Sequence, residues 1–363
     1  MSYQRDYERI LRVALVGVGG HAYRNILPAL HYLPVRLAAL CDLDGGLAGR
    51  TAAEYGVPAF SGTAQMYRSV ELDAVLICVG PRQHPGLAVE ALGAGLDVWM
   101  EKPPGMSSAD VEDVLAAAGD RTCAVGFKKA YMPAARKAHE LISAPVFGGL
   151  RSMLAVYPMT IPRDGAGVLR RREITNWLAN GCHPLSLMLA LGGPVSSVQT
   201  IRGPGDEALG SVHLAYDHGA IGVLYLAGGS PHGHPVERYE FLGRQRSVTI
   251  EDSIKVTCNR GIPFDYSKQI DFTAPGLDGG NLVWEAEHRL ATLENSALFI
   301  QGLYYELLDF CTAAIGHRRV ELADLSFALQ VMRVYEAAML SRGEPVPVSI
   351  GRPRDSRGAM ADG

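Results

Sequence analysis

The 363-residue chain has no cysteine pair at metal or redox spacing, no excess of positive charge, and no apolar run of membrane-spanning length. Each absence excludes a class. The six cysteines, Cys41, Cys78, Cys123, Cys182, Cys258 and Cys311, stand singly. That argues against zinc clusters, dithiol motifs and a disulfide framework, and for reduced thiols in a cytoplasmic setting. A formal net charge of -4 gives no footprint for a polyanion, so nucleic acid is not an expected partner. The one basic run, Arg170-Arg171-Arg172, is explained by a solvated turn. The opening Met1-Ser2-Tyr3-Gln4-Arg5-Asp6 has no apolar core of signal-peptide length, and a membrane partner is not expected either. No internal repeat is visible. His232 and His234 lack a third ligand at sensible spacing, and the neighbours Cys182 and His183 are a coincidence of sequence, so no metal site is expected.

What is present is a soluble globular composition, 48% hydrophobic and 20% charged, with length enough for two domains. Leu11 to Val16 is a short apolar run with β-branched residues, as a buried parallel strand requires. It ends in Gly17-Val18-Gly19-Gly20-His21-Ala22, and Arg24 to Leu33 follows with helical periodicity. Strand, glycine turn and helix together make a dinucleotide fingerprint. Gly17 allows the tight turn, Gly19 lets the backbone approach a pyrophosphate, and Ala22 lets the helix pack close to its strand. Gly20 and His21 complete the turn, and the helix start presents N–H groups to phosphate.

A second strand, Val35 to Cys41, ends at Asp42, about twenty residues past Ala22. An acid there accepts the ribose hydroxyls and repels a 2′-phosphate, and Leu43-Asp44-Gly45 brings no basic residue. NAD is expected in preference to NADP. Further strands are expected over 73–80 and 97–100, with a helix through Ala94 between them. A helix starts near Ser107-Ser108-Ala109-Asp110, and a fifth strand runs from Thr122 to Phe127. This rhythm gives a doubly wound parallel sheet with its ligands at the carboxyl ends of the strands. Gly17, Asp42, Gly80 and Lys102 all fall at those ends.

After Phe127 the pattern changes. Helices are expected over 133–143, 176–191, 297–315 and 323–341. Strand-like runs include 149–158, 212–216, 220–227, 239–243 and 247–250. The fold class is α/β, a Rossmann sheet followed by an α+β domain with an open, mostly antiparallel sheet. The expected division is 1–125 for the nucleotide domain, 126–350 for the substrate and oligomerisation domain, and 351–363 for a loose tail. Within 176–191, Asn176, Asn180, His183 and Ser186 recur at helical intervals and share one face.

The combination resembles the Gfo/Idh/MocA family of NAD(P)-dependent sugar and cyclitol oxidoreductases, and the likeness covers nearly the whole chain. It is carried by the glycine turn at 17–22, Cys41-Asp42, Gly80-Pro81-Arg82-Gln83-His84, and Asp97-Val98-Trp99-Met100-Glu101-Lys102-Pro103. Gly126-Phe127-Lys128-Lys129, Gly181-Cys182-His183 and the helix from Gln301 to Gly316 add to it. The resemblance implies that Lys102 is the catalytic lysine beside the substrate hydroxyl and that His183 shares the proton transfer. It also implies that His84 lies near the cofactor, where Gly80, Pro81, Glu101 and Lys102 are expected too; Lys129, Asn176, Asn180 and His183 are expected at a polyol substrate, and Arg170, ahead of the helix bearing Asn176 and His183, at a phosphate or carboxylate on it. Acids that the family often carries on either side of the histidine are Ala179 and Ser186 here, and an arginine of the pattern is Ala130. Asn180 or Asn176 would then hold the imidazole through an amide.

Hydride transfer needs one proton moved at the carbinol oxygen, which a lysine can do if its pKa falls from about 10.4 toward roughly 7–8. Three functions stay open at this point. One is a simple dehydrogenase or ketoreductase. Another is a lyase, epimerase or glycosidase that retains NAD and oxidises transiently. The last is a non-enzymatic NAD-sensing regulator. A homodimer or homotetramer built on the open sheet is expected.

Overall fold

A computed structural model describes residues 7–205, 207–231, 236–261, 280–285 and 297–348; the tail at 351–363, His232 and His234 lie outside the described residues. In chain order, the first part holds strands β1 (Leu11–Val16), β2 (Val35–Cys41), β3 (Ala59–Phe60), β4 (Ala74–Ile77), β5 (Asp97–Glu101) and β6 (Cys123–Gly126). Between them lie helices α1 (Leu27–Leu30), α2 (Gly45–Tyr55), α3 (Thr63–Ser69), α4 (His84–Gly93) and α5 (Ser108–Ala118). The strands form one parallel sheet in the order β3-β2-β1-β4-β5-β6. β4 and β5 are buried at every position because helices cover both faces. Each fully buried Val, Leu or Ile in such a strand contributes about 1.5–3 kcal/mol.

Strand order reverses between β1 and β4, which pair in register through Val16 and Ile77. A crevice therefore opens above their carboxyl ends. Gly17 sits at that split with φ 88, and a Cβ there would lie 2.2 Å from the Cys78 carbonyl oxygen. Only glycine fits. The helix expected from Arg24 begins instead with one turn of wide, π-type hydrogen bonding over Ala22–Ile26 and then continues as α1. Ser107 and Asp110 cap α5 reciprocally, as the sequence pattern predicts.

The second part begins with α6 (Pro133–Ser143), β7 (Ser152–Tyr157), β8 (Ile161–Pro162), α7 (Gly165–Arg171) and α8 (Asn176–Gly192). β9 (Val195–Arg202), β10 (Glu207–Ala208), β11 (Gly210–Tyr216), β12 (Ile221–Leu226), β13 (Arg238–Leu242), β14 (Ser247–Glu251), β15 (Lys255–Asn259) and β16 (Asn281–Glu285) follow. The chain then runs through α9 (Ala297–Ile300), α10 (Leu303–Ile315), α11 (Leu325–Leu340) and β17 (Val346–Pro347). Nine of these strands form a sheet in the order β16-β15-β14-β13-β7-β12-β11-β9-β17, with β7 and β12 as its parallel pair. Burial alternates along β12 and β13, so one face packs inward and the other is open. Leu154, Ile221, Tyr225 and Leu242 stand on the open face, Ile221 58% and Tyr225 52% exposed.

The two closing helices part company. α11 joins the core of the second sheet, where Tyr335 stacks on Trp177 of α8 at 6.5 Å. α10 returns to the first sheet: Leu303, Tyr304, Leu307 and Phe310 pack with Leu11, Val13 and Leu15. The nucleotide-binding core thus borrows a helix from the far end of the chain.

Candidate active site

The cradle for a dinucleotide follows from the β1–β4 split. Around Gly19 and Gly20 nothing lies within 4 Å of where a side chain would stand, so their backbone faces open space. Ala22 is fully buried, seating the helix against the sheet. Asp42 accepts the Val18 N–H at Oδ2 (2.9 Å) and the Asp44 N–H at Oδ1 (2.9 Å), which aims its carboxylate across the crevice. Each oxygen keeps a lone pair for a ribose hydroxyl. An open glycine backbone beside an oriented acid fits NAD.

β5 delivers the next group. Glu101 is buried; its Oε1 lies 2.8 Å from His21 Nε2 and its Oε2 accepts the Lys102 N–H at 2.9 Å. Asn25 Nδ2 lies 3.1 Å from His21 Nδ1, so with the amide as donor Nδ1 accepts and Nε2 donates to Glu101. The glycine turn is thereby tied to the strand bearing the lysine. The Lys102–Pro103 peptide is cis. His84 is fully buried beneath it, Nδ1 2.7 Å from the Pro103 carbonyl and Nε2 accepting the Val79 N–H at 3.4 Å. Burial pushes its pKa below the usual histidine value. With both ring nitrogens engaged by protein, His84 fastens the Gly80-Pro81 loop to the Glu-Lys-Pro turn from behind.

The Lys102 ammonium crosses the cleft and donates to the Ala179 carbonyl of α8 at 3.0 Å. That helix starts cleanly, with the Thr175 side chain accepting the Leu178 N–H. Pro184 inside it has no N–H for the Asn180 carbonyl, which loosens the helical bonding next to where the lysine docks. His183 stands one turn after Ala179, its buried Nδ1 without a hydrogen-bond partner among the described residues. Its pKa falls well below the usual value, first through burial and then through the charges of Lys102, Lys128 and Lys129. The imidazole is neutral. Neither expected amide reaches Nδ1: Asn176 Oδ1 instead accepts the Thr160 N–H at 3.1 Å, and Asn180 is half-buried nearby. Ser186 Oγ donates to the His183 carbonyl.

Lys129 is also buried, but its ammonium is held by Glu237 at 2.7 Å and Ser253 at 2.9 Å. Lys128 donates to Gln301 at 2.7 Å, and burial lowers its pKa. Arg170 is not brought to this cluster. It is exposed in the last turn of α7, and its charge acts on Asp164 at the N-cap of that helix.

Sequence reasoning missed three neighbours. Tyr157 ends β7 with its ring centroid 6.4 Å from that of His183, and burial raises its pKa. Glu237 compensates Lys129. Glu306 of α10 is buried with neither carboxyl oxygen hydrogen-bonded among the described residues, and burial followed by the Glu101 charge pushes its pKa far up. Only Glu306 left a legible signal, as one of two acids, with Asp309, among the apolar residues of a helix.

A groove of about 900 Å³ lies away from these residues, among α7, β9 and the end of α11. Its arginines are largely engaged: Arg202 with the carbonyls of Pro162, Ala338, Met339 and Ser341, and Arg171 with Glu173 and Asp164. Among the described residues no group of three or more His, Cys, Asp or Glu is placed to hold a metal, and no helix is long and apolar enough to cross a membrane.

Comparison with known proteins agrees with this geometry. Residues 11–128 match the family described as Gfo/Idh/MocA, oxidoreductase family, NAD-binding Rossmann fold. The chain is 25% identical to scyllo-inositol 2-dehydrogenase (NAD(+)) of Bacillus subtilis, over 71% of this chain and 80% of that one. It is 23% identical to 4-carboxy-2-hydroxymuconate-6-semialdehyde dehydrogenase of a Sphingobium species, over 60% and 72%. A solved oxidoreductase from Agrobacterium radiobacter, in complex with NAD+, L-tartaric acid and magnesium, superposes with a TM-score of 0.77 at 15% identity. That match covers 93% of this chain and 98% of that one, a likeness of fold. Residues 11–128 are thus an NAD-binding Rossmann domain of the Gfo/Idh/MocA oxidoreductase family.

Proposed function

We propose that this protein is an NAD-dependent dehydrogenase or ketoreductase that moves hydride between the nicotinamide and a secondary hydroxyl or ketone of a sugar, nucleotide sugar or cyclitol. The observation that carries the reading is the Lys102 ammonium, held at the end of β5 and 3.0 Å from the Ala179 carbonyl, between the dinucleotide crevice and the helix of His183. The turn at Gly17, Gly19, Gly20, His21 and Ala22, Asp42, and the Gly80-Pro81 loop with Glu101 behind it would hold NAD, which would supply the hydride acceptor.

The chain's own residues handle the proton. Lys102 in its neutral form takes the proton from the carbinol oxygen, and as ammonium returns it to a ketone. The neutral His183 hydrogen-bonds the same oxygen and orients it. Asn180 and Tyr157 border the polyol, while Lys129 and Asn176 shape the wall from behind. We divide the chain functionally near residue 125, with α10 completing the nucleotide side. The name of the Bacillus subtilis relative favours a cyclitol among the substrates to try. We also assign the open face around Leu154, Ile221, Tyr225 and Leu242 to a second copy of the chain, since a contiguous apolar patch of this kind marks an interface.

The test is a panel of sugars, nucleotide sugars and cyclitols with NAD and NADP in parallel, read by absorbance of the reduced nicotinamide. Accumulating NADH with a polyol, and little signal with NADP, is the expected result. Product without net NADH would move the protein to the NAD-retaining lyases and epimerases. Unchanged turnover in Lys102→Ala would remove the reading altogether.

A further inference from the structure

Arg172 follows α7 as its C-terminal cap and has φ 52, a left-handed conformation that favours glycine. A residue kept there despite its Cβ is held by its side chain. Its guanidinium donates through Nη2 to both carboxylate oxygens of Asp110, at 2.9 and 2.7 Å. Asp110 Oδ2 in turn accepts the N–H groups of Met106 (2.6 Å) and Ser107 (3.1 Å), which fixes the segment directly after Lys102-Pro103. The Arg172 carbonyl accepts from Arg82 Nη2 at 2.5 Å, and Arg82 follows Gly80-Pro81. Three residues further on, Thr175 caps the helix that carries Ala179 and His183.

We propose that Arg172 is a positioning residue that clasps the rim of the cleft and sets Lys102 in register with the Ala179–His183 face of α8. The inference rests on the reading of Lys102 given above. It concerns register and not the docking of the two parts, because other groups do the docking. On the far side of α5, the Ser108 N–H and hydroxyl bond to Glu336, each at 2.7 Å, and Arg333 pairs with Glu112 at 2.8 Å. The Arg172 side chain is 46% exposed, so its ion pair adds little to overall stability. What it controls is one loop of few residues between a cap and a lysine.

Arg172→Gly tests this cleanly, since it removes the guanidinium while suiting the left-handed turn. With the substrate identified by the panel, kcat should fall about 10- to 100-fold, in line with a small misplacement of a reacting group. NADH affinity, read by fluorescence, should stay within about threefold, and the melting temperature should hold. Arg172→Lys should restore part of kcat by reaching one carboxylate oxygen, and adding Asp110→Asn to Arg172→Gly should cost little more. A second readout needs no turnover: acetylation of Lys102 by an N-hydroxysuccinimide ester, followed by peptide mass spectrometry. It should be slow in the native protein and several-fold faster in Arg172→Gly, as the amine leaves the Ala179 carbonyl. Faster labelling without a substrate in the panel would keep the clasp and discard the dehydrogenase reading. Unchanged labelling, or kcat, NADH affinity and melting temperature falling together, would overturn the clasp.

Discussion

Each half of the molecule buries a histidine, and the two are treated in opposite ways. His84 in the first half has partners at both ring nitrogens, the Pro103 carbonyl and the Val79 N–H. His183 in the second half is 9% exposed against 0% for His84, and among the described residues its Nδ1 has no partner, while the charges of Lys102, Lys128 and Lys129 lower its pKa. A satisfied buried polar group rigidifies the scaffold, while an unsatisfied one is an energetic liability kept for another reason. On the proposed function, the contrast separates the histidine that builds the site from the one that would act in it.

The seam between these regions is the Lys102–Ala179 hydrogen bond, and breaking it should have the largest effect. Lys102→Ala is expected to lower kcat by about 10²- to 10⁴-fold, the range of general acid–base catalysis. NADH binding should persist, because Gly17, Gly19 and Asp42 are untouched; fluorescence titration beside steady-state turnover reads both. Loss of cofactor binding along with turnover would mean that the lysine supports the crevice and not the chemistry.

The histidines sharpen the comparison directly. His84→Ala should destabilise the fold by about 2–4 kcal/mol, since it orphans the Pro103 carbonyl and leaves a cavity. His183→Ala should unfold near the native midpoint in urea, yet lose turnover by about 10- to 100-fold. If the two variants exchanged these phenotypes, the division between building and acting residues would be reversed.

The first half was far more legible than the second, for a physical reason. Gly17, Asp42 and Lys102 follow short strands, and in a parallel sheet strand ends converge on one crevice, so position in sequence gives position in space. Even there, the wide turn at Ala22–Ile26 carries no local signal, and the role of His84 depends on a carbonyl nineteen residues away in sequence. In the second half, the residues that helical periodicity grouped, Asn176, Asn180, His183 and Ser186, all lie on α8. Periodicity could not show that Asn176 is taken up by Thr160, or that Glu237 would come from a distant segment to neutralise Lys129. Tyr157 reaches His183 only because β7 pairs where it does. Such contacts depend on tertiary register and leave no spacing to read.

The smallest of the expected effects concerns another unsatisfied buried group, Glu306, and its sign follows from linkage. Its folded pKa is raised above 4.5 by burial and by Glu101, so the folded protein keeps a proton that the unfolded chain releases. Stability is therefore full below about pH 4.5 and declines as pH rises toward the folded pKa. The histidines act oppositely: their folded pKa values are lowered from 6.5, so stability falls as pH drops below that value. Glu306→Gln removes only the first contribution. Urea midpoints at a series of pH values should show no gain near pH 4 and a gain that grows toward neutral pH. A gain independent of pH would mean that the carboxyl costs the fold through shape or lost hydrogen bonds. A loss at neutral pH would mean that Glu306 is ionised against Lys128, making it a satisfied group after all.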